Sequence, residues 1–171
     1  YVGFNLVSQP SGSYIGIGSA DLIRAGENMA PGYQEDFNLS NINFYSYEIL
    51  EFNYMGMDMP GTVRFRSGQF GTGLISDNLI VRGAWGATGI IIDMDPGLLF
   101  DGSGWVFQQG SEFNWAPSDG DYVQVNGSSS NDVITGTKYY DIIIGGNGND
   151  VITGGGGDDN INGGDGSDVA I

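Results

Sequence analysis

Five aspartates are the residues of this chain whose spacing alone implies chemistry. Asp132, Asp141, Asp150, Asp159 and Asp168 stand nine residues apart, in five consecutive lines that read GSSSNDVIT, GTKYYDIII, GGNGNDVIT, GGGGDDNIN and GGDGSDVAI. The sixth column is aspartate in every line and the first is glycine. The eighth column holds Ile134, Ile143, Ile152, Ile161 and Ala170. Carboxylates repeated at a fixed interval, in a chain without histidine or cysteine, offer hard oxygen ligands and nothing softer. They point to a cation rather than to a nucleophile.

The elements that position them follow from the period. An odd repeat cannot be one continuous strand, whose side chains alternate every two residues. Each line instead joins a short strand, x-Ile-x, which buries its central residue, to a six-residue turn, GGxGxD. Glycines in columns one, two and four are expected at positive φ, which turns carbonyl oxygens towards a common centre. Two lines, strand-turn-strand-turn, complete one coil of a flattened spiral. Asp132, Asp150 and Asp168 then stack on one edge, and Asp141 and Asp159 on the other. Neighbouring coils lie about 4.8 Å apart. Two carboxylates about 5 Å apart repel by roughly 0.8 kcal/mol in water, and by roughly 3 kcal/mol at an effective dielectric of about 20. Such a column needs cations in its gaps. Carboxylate and carbonyl oxygens in flexible number favour Ca²⁺ over Mg²⁺, which holds a tighter octahedron and keeps its waters, and over softer metals.

These lines resemble the calcium-binding repeats of the hemolysin-type, repeats-in-toxin (RTX) family, whose pattern is G-G-x-G-x-D-x-U-x with U large and apolar. The resemblance covers residues 127–171, about a quarter of the chain, and implies a calcium-bound parallel β-roll. It places calcium between turns two repeats apart, held by the aspartates and by backbone oxygens of the turns. Those turns supply Gly145, Asn147 and Gly148, then Gly154, Gly156 and Gly157, then Gly163, Asp165 and Gly166. Two lines depart from the pattern. GTKYYD has Thr137 and Tyr139 in place of glycine and adds Lys138, and GSSSND has Ser128 and Ser130. A complete site is expected between Asp150 and Asp168 and a second between Asp132 and Asp150. A third, between Asp141 and Asp159, is expected to be weaker or differently ligated. Without calcium, low hydrophobicity with net charge is a disorder signature, and the repeats are expected to be unfolded.

Residues 1–126 show no helical periodicity. Short strand-forming runs occur at 4–7, 14–17, 49–54, 62–66, 78–82, 89–92, 105–107 and 121–125, separated by Gly, Pro, Asn, Asp and Ser clusters. In TVRFR, Val63 and Phe65 face one way and Arg64 and Arg66 the other. The class is all-β, either a sandwich or a parallel β-helix. We favour a right-handed parallel β-helix, a β-solenoid, over residues 1–126, running into the β-roll of 127–171. The stretches FNLSNINFYSYEILEFNY, GTVRFRSGQF and DNLIVRGAW resemble segments that precede or interrupt the calcium repeats of secreted RTX and surface-layer proteins. A roll coil also buries its open end best against a coil of similar cross-section, and GDYVQVNGSSSNDVITG has no linker composition.

Charge and composition exclude several functions. A net charge of −16 argues against nucleic acid and anionic bilayers, which need clustered Lys and Arg. No apolar stretch is long enough for a membrane span. Without His or Cys there is no Ser-His or Cys-His nucleophile and no zinc site of the usual kind. Asp93, Asp95 and Asp101 lack EF-hand spacing, and a turn with solvated carboxylates is expected there. Trp85, Trp105, Trp115, Tyr45, Tyr47 and Tyr54 are expected in a core more than on a sugar-binding platform. Glu48 and Glu51 are read as solvated strand charges. The resulting expectation is a non-enzymatic, calcium-responsive module of a secreted bacterial protein, at the cell surface or beyond. Family resemblance implies a type I secretion machinery acting through sequence outside these 171 residues. The alternatives are an adhesin or surface-layer fragment that binds a cell-surface glycan or protein, and the non-catalytic part of a secreted hydrolase.

Overall fold

A computed structural model describes residues 3–6, 12–15, 22–25, 35–45, 47–52, 61–84, 86–109 and 114–171. The runs expected at 4–7, 14–17 and 49–54 fall partly outside these, as do Trp85 and Tyr54. Strands dominate, and the only helical pieces among the described residues are two 3-10 turns, Ser67–Gln69 and Pro117–Asp119. Every registered strand pair is parallel, which fits stacked coils and not an antiparallel sandwich.

The strands form three walls. The first contains Gly3–Leu6, Leu22–Ala25, Tyr47–Phe52, Ile75–Arg82 and Val106–Gln108, in that spatial order. The second contains Glu35–Asn38, Gly61–Arg66, Thr88–Asp93, Tyr122–Asn126, Asp141–Asn147 and Asn160–Asp165. The third contains Leu99–Asp101, Val133–Thr135, Val151–Thr153 and Val169–Ala170. A separate pair joins Gly12–Ile15 to Ile42–Tyr45. From Ile75 onward the chain visits the first, second and third walls in turn, twice, and thereafter alternates between the second and third alone. Along the second wall the return distance is 27 residues (Gly61 beside Thr88), then 33 (Gly89 beside Tyr122), then 18 (Val123 beside Asp141, Ile142 beside Asn160). A three-walled helix thus becomes a two-walled roll without a break.

Register explains the core. On the second wall Phe65, Ile92, Val125, Ile143 and Ile161 lie side by side in successive coils. On the third, Phe100, Ile134, Ile152 and Ala170 do the same. The first wall aligns Phe4, Ile23, Leu50, Val81 and Phe107. Ile134, Ile143 and Ile152 are buried, Ile161 is half-buried and Ala170 is exposed, so the eighth column loses cover towards the carboxy-terminal coil. Each fully buried isoleucine stabilises the fold by roughly 1.5–3 kcal/mol. Two facing sheets about 10 Å apart are filled by branched aliphatics alone. The three-walled part encloses a wider interior, and aromatic rings fill it: Phe70 lies 5.6 Å from Trp105 and 5.7 Å from Phe65, and Phe100 lies 5.6 Å from Trp105. Trp105 and Trp115 are buried in this cluster, so neither presents a face to a sugar ring. Tyr47 is likewise buried, whereas Tyr45 is exposed.

The outer faces carry ion pairs between neighbouring coils. Arg64 Nη1 donates to Asp93 (2.6 Å), Arg66 pairs with Asp95, and Arg82 Nη1 donates to Glu51 Oε2 (3.0 Å). Asp93, Asp95 and Glu51 are therefore engaged, contrary to the expectation of solvated carboxylates, because register sets each beside an arginine of the adjacent coil. Asp101 does sit in a turn, accepting from Ser103 N (2.9 Å).

The first wall ends at Val106–Gln108. Phe107, its final inward ring, is covered by Trp115 (centroids 4.9 Å apart) and edge-on by Tyr139 (5.1 Å). Gln109 Nε2 donates to Trp115 O (2.5 Å) and to the Tyr139 hydroxyl (3.2 Å), tying the cover down. Asp121 anchors the same region by accepting from Thr88 N, Thr88 Oγ1 and Ala116 N, each at 2.7 Å.

Candidate metal centre

The turns of the roll stack on two edges. On one, Asp132 N donates to Asp150 Oδ1 (2.8 Å) and Asp150 N to Asp168 Oδ1 (3.0 Å). On the other, Asp141 N donates to Asp159 Oδ1 (3.0 Å). Each of these bonds spans 18 residues, the coil length set by two lines of nine. Each aspartate of lines three to five thus spends one carboxylate oxygen on the coil before it and has a second oxygen to place.

That second oxygen identifies the site. Asp150 is 1% exposed, and its Oδ2 is buried without a hydrogen-bond partner. A methyl on Gly145 would overlap both this oxygen and the carbonyl oxygen of Gly163. The same construction recurs at Gly136, against Gly154 O and Asp141 Oδ2, and at Gly154 and Gly163, against the Oδ2 of Asp159 and Asp168. The first-column glycines are absent from the positive-φ set, which corrects the expectation for that column. They are glycine because a side chain would fill the space between one carboxylate and the next coil's carbonyl. Columns two and four do take positive φ in lines three to five: Gly146 (102°), Gly148 (128°), Gly155 (101°), Gly157 (106°), Gly164 (93°) and Gly166 (144°).

The remaining expected ligands fall as follows. Asn147 and Asp165 lie side by side in register at the ends of their strands, and Asp165 O accepts from Gly148 N (2.9 Å). Gly156 N donates to Thr137 O (3.0 Å). Gly157 and Gly166 pack closely against the backbone of Tyr139 and Gly148 respectively. No group of three or more acidic side chains converges among the described residues. A cation in these gaps would be held by one or two aspartates and a majority of backbone oxygens.

Electrostatics agree with this arrangement. Residues 127–171 contain seven aspartates and one lysine, Lys138, whose ammonium lies 5.5 Å from the Tyr139 ring centre. Asp141 is fully buried, in register beside Val123, and burial pushes its carboxyl up to about 7 against the opposing hydrogen bonds from Thr137; the charge of Asp159 pushes the same way. Burial also raises Asp159, opposed by the Asp141 N–H and reinforced by Asp158. Carboxylates withdrawn from water without a counter-charge hold their protons more tightly, and a divalent cation removes that penalty. A partnerless buried carboxylate oxygen, a cradle that admits no Cβ and an all-oxygen donor set together fit Ca²⁺.

One ladder was not anticipated from the sequence. In column five, Asn131 Oδ1 accepts from Asn149 N (2.8 Å) and Asn149 Oδ1 accepts from Ser167 N (2.9 Å), so short amide side chains tie three turns of one edge together. Tyr140 and Asp158 fill that column on the other edge. The signal was present as asparagine in lines one and three.

Residues 126–159 and 141–170 match the family model HemolysinCabind, the RTX calcium-binding nonapeptide repeat in four copies. That repeat family binds Ca²⁺. No curated protein and no solved structure matches the chain.

Proposed function

We propose that this chain is a calcium-responsive folding module of a secreted bacterial RTX protein. Residues 1–126 form a right-handed β-solenoid and residues 127–171 a β-roll that binds Ca²⁺ between stacked turns. The observation that carries the reading is the buried, partnerless Oδ2 of Asp150 facing the Gly145 and Gly163 cradle. The gap between the turns of Asp150 and Asp168 is the first site, flanked on both sides by positive-φ glycines. The gaps between Asp132 and Asp150 and between Asp141 and Asp159 follow, each with one glycine-poor turn. The backbone oxygens of Gly145, Asn147, Gly148, Gly154, Gly156, Gly157, Gly163, Asp165 and Gly166 complete the donor set.

The function follows from linkage. An extracellular-type site with Kd near 10⁻⁴ to 10⁻³ M adds roughly 1.4 kcal/mol at ten times Kd, and three sites add roughly 4 kcal/mol. That is comparable to the whole stability of a small domain, about 5–15 kcal/mol. The module stays open where calcium is scarce, passes through a type I secretion machinery recognised by other sequence, and closes outside the cell. Catalysis is no part of this role. Circular dichroism of the 171-residue chain tests it: β signal should rise with Ca²⁺, fall on chelation and not respond to Mg²⁺. An identical spectrum and melting temperature with and without calcium would overturn it.

A further inference from the structure

Asp132, Asp141 and Asp150 are equally buried, at 1%, 0% and 1% exposure, yet their carboxylates are satisfied differently. Asp132 Oδ2 accepts from Ser128 N (2.6 Å) and its Oδ1 from Ser128 Oγ (3.1 Å). Asp141 Oδ2 accepts from Thr137 N (2.7 Å) and from Thr137 Oγ1 (3.1 Å). In both turns the same hydroxyl also accepts a backbone N–H two residues on, from Ser130 (3.0 Å) and Tyr139 (3.1 Å). This is a closed hydroxyl turn, in which side-chain oxygen takes the place of a backbone donor or an ion. In line three the column-two residue is Gly146 at positive φ; it has no hydroxyl, and Asp150 Oδ2 is left without a partner. The two lines that depart from the glycine pattern are the two whose turns close themselves.

Those lines also adjoin the three-walled helix. Tyr139, in the column where later lines have glycine, covers Phe107 and receives the Gln109 hydrogen bond. Val123 and Val125 of the preceding coil register against Asp141 and Ile143.

We propose that residues 127–144 are an adaptor coil whose turns are closed by Ser128 and Thr137 in place of an ion, so that it folds with the three-walled helix before calcium arrives and templates the coils that need it. The inference rests on the calcium reading above for the later coils only. In a repeat solenoid each coil docks on its neighbour, so a preformed first coil removes the nucleation step for the next. Calcium-dependent ordering then runs in one direction, from Gly145 towards Ile171.

Hydrogen-exchange mass spectrometry of the whole chain, in chelator and in millimolar Ca²⁺, tests this. In chelator, amides of 133–135 and 141–144 should stay within about tenfold of their calcium-bound exchange rates, while those of 151–171 exchange at least a hundredfold faster than with calcium. Thr137→Val with Ser128→Ala should abolish the protection of 127–144 in chelator, and Thr137→Ser with Ser128→Thr should keep it. Loss of protection across all of 127–171 in chelator, restored by calcium, would overturn the adaptor and leave the calcium module standing. Protection of 127–171 that ignores calcium throughout would overturn the module, and the adaptor with it. A hydroxyl-free variant that exchanges like the parent would overturn the role of the two turns.

Discussion

Replacing Asp150 by asparagine should change stability in opposite directions with and without calcium. Asp150 Oδ1 accepts from Asp132 N, and an asparagine oxygen can keep that bond. The other oxygen is buried without a partner, so in chelator an amide removes a desolvated charge and supplies a donor beside the Gly163 carbonyl. Relief of one unsatisfied buried polar group is worth about 1–3 kcal/mol. With calcium the sign reverses. Asp150 borders both gaps on its edge, and losing a ligand from two sites removes about 3 kcal/mol at ten times Kd, at roughly 1.4 kcal/mol per site. Urea unfolding followed by circular dichroism, for parent and Asp150→Asn, in chelator and at saturating Ca²⁺, reads both signs. Equal loss of stability in the two conditions would mean that Asp150 is a packing residue, and no loss in calcium would mean that it is not a ligand. Either result refutes the reasoning.

Three further outcomes are expected. Because burial lifts Asp141 to about 7, that group contributes stability fully present below pH 3.8 and lost as pH rises through about 7; the calcium-free chain should therefore have a higher urea midpoint at pH 5 than at pH 8, with Asp159 and Asp121 shifting the same way, and a flat profile would contradict the assignment. Tyr139→Gly restores the glycine of the nonapeptide pattern yet should destabilise the chain by about 2–4 kcal/mol, since it uncovers Phe107, and Trp fluorescence should shift to the red as Trp115 gains water. Ile143→Ala should lose about 2–4 kcal/mol, whereas Ile161→Ala, in the half-buried last coil, should lose about 1 kcal/mol or less; equal losses in thermal unfolding would contradict the graded burial.

The roll was legible in the sequence because its contacts repeat at a constant interval. Asp132 above Asp150, Asp150 above Asp168 and Asp141 above Asp159 follow from nine-residue lines taken in pairs, and so do the buried isoleucines. The role of Gly127, Gly136 and Gly145 was misread because a tight approach and a positive φ give the same letter. The Asn131–Asn149 ladder was missed because its column is occupied by tyrosine and aspartate in the intervening lines. The three-walled part resisted for a different reason. Its coils differ in length, so partners such as Arg64 and Asp93, Arg66 and Asp95, or Glu51 and Arg82 stand at intervals no pattern announces. Tyr139 looked like a defect in a calcium turn until the end of the first wall gave it a ring to cover.

The two-walled part has a mechanical consequence. Its coils are joined by parallel ladders to their neighbours only, and the last of them, with Val169 and Ile171 exposed, has a free side. Tension applied at Ile171 peels the chain from that side in units of one turn of the spiral. Each unit is 18 residues, or about 60 Å of extended backbone. The extension trace should show a sawtooth of that pitch until the tear reaches the Tyr139 ring, where the force must rise.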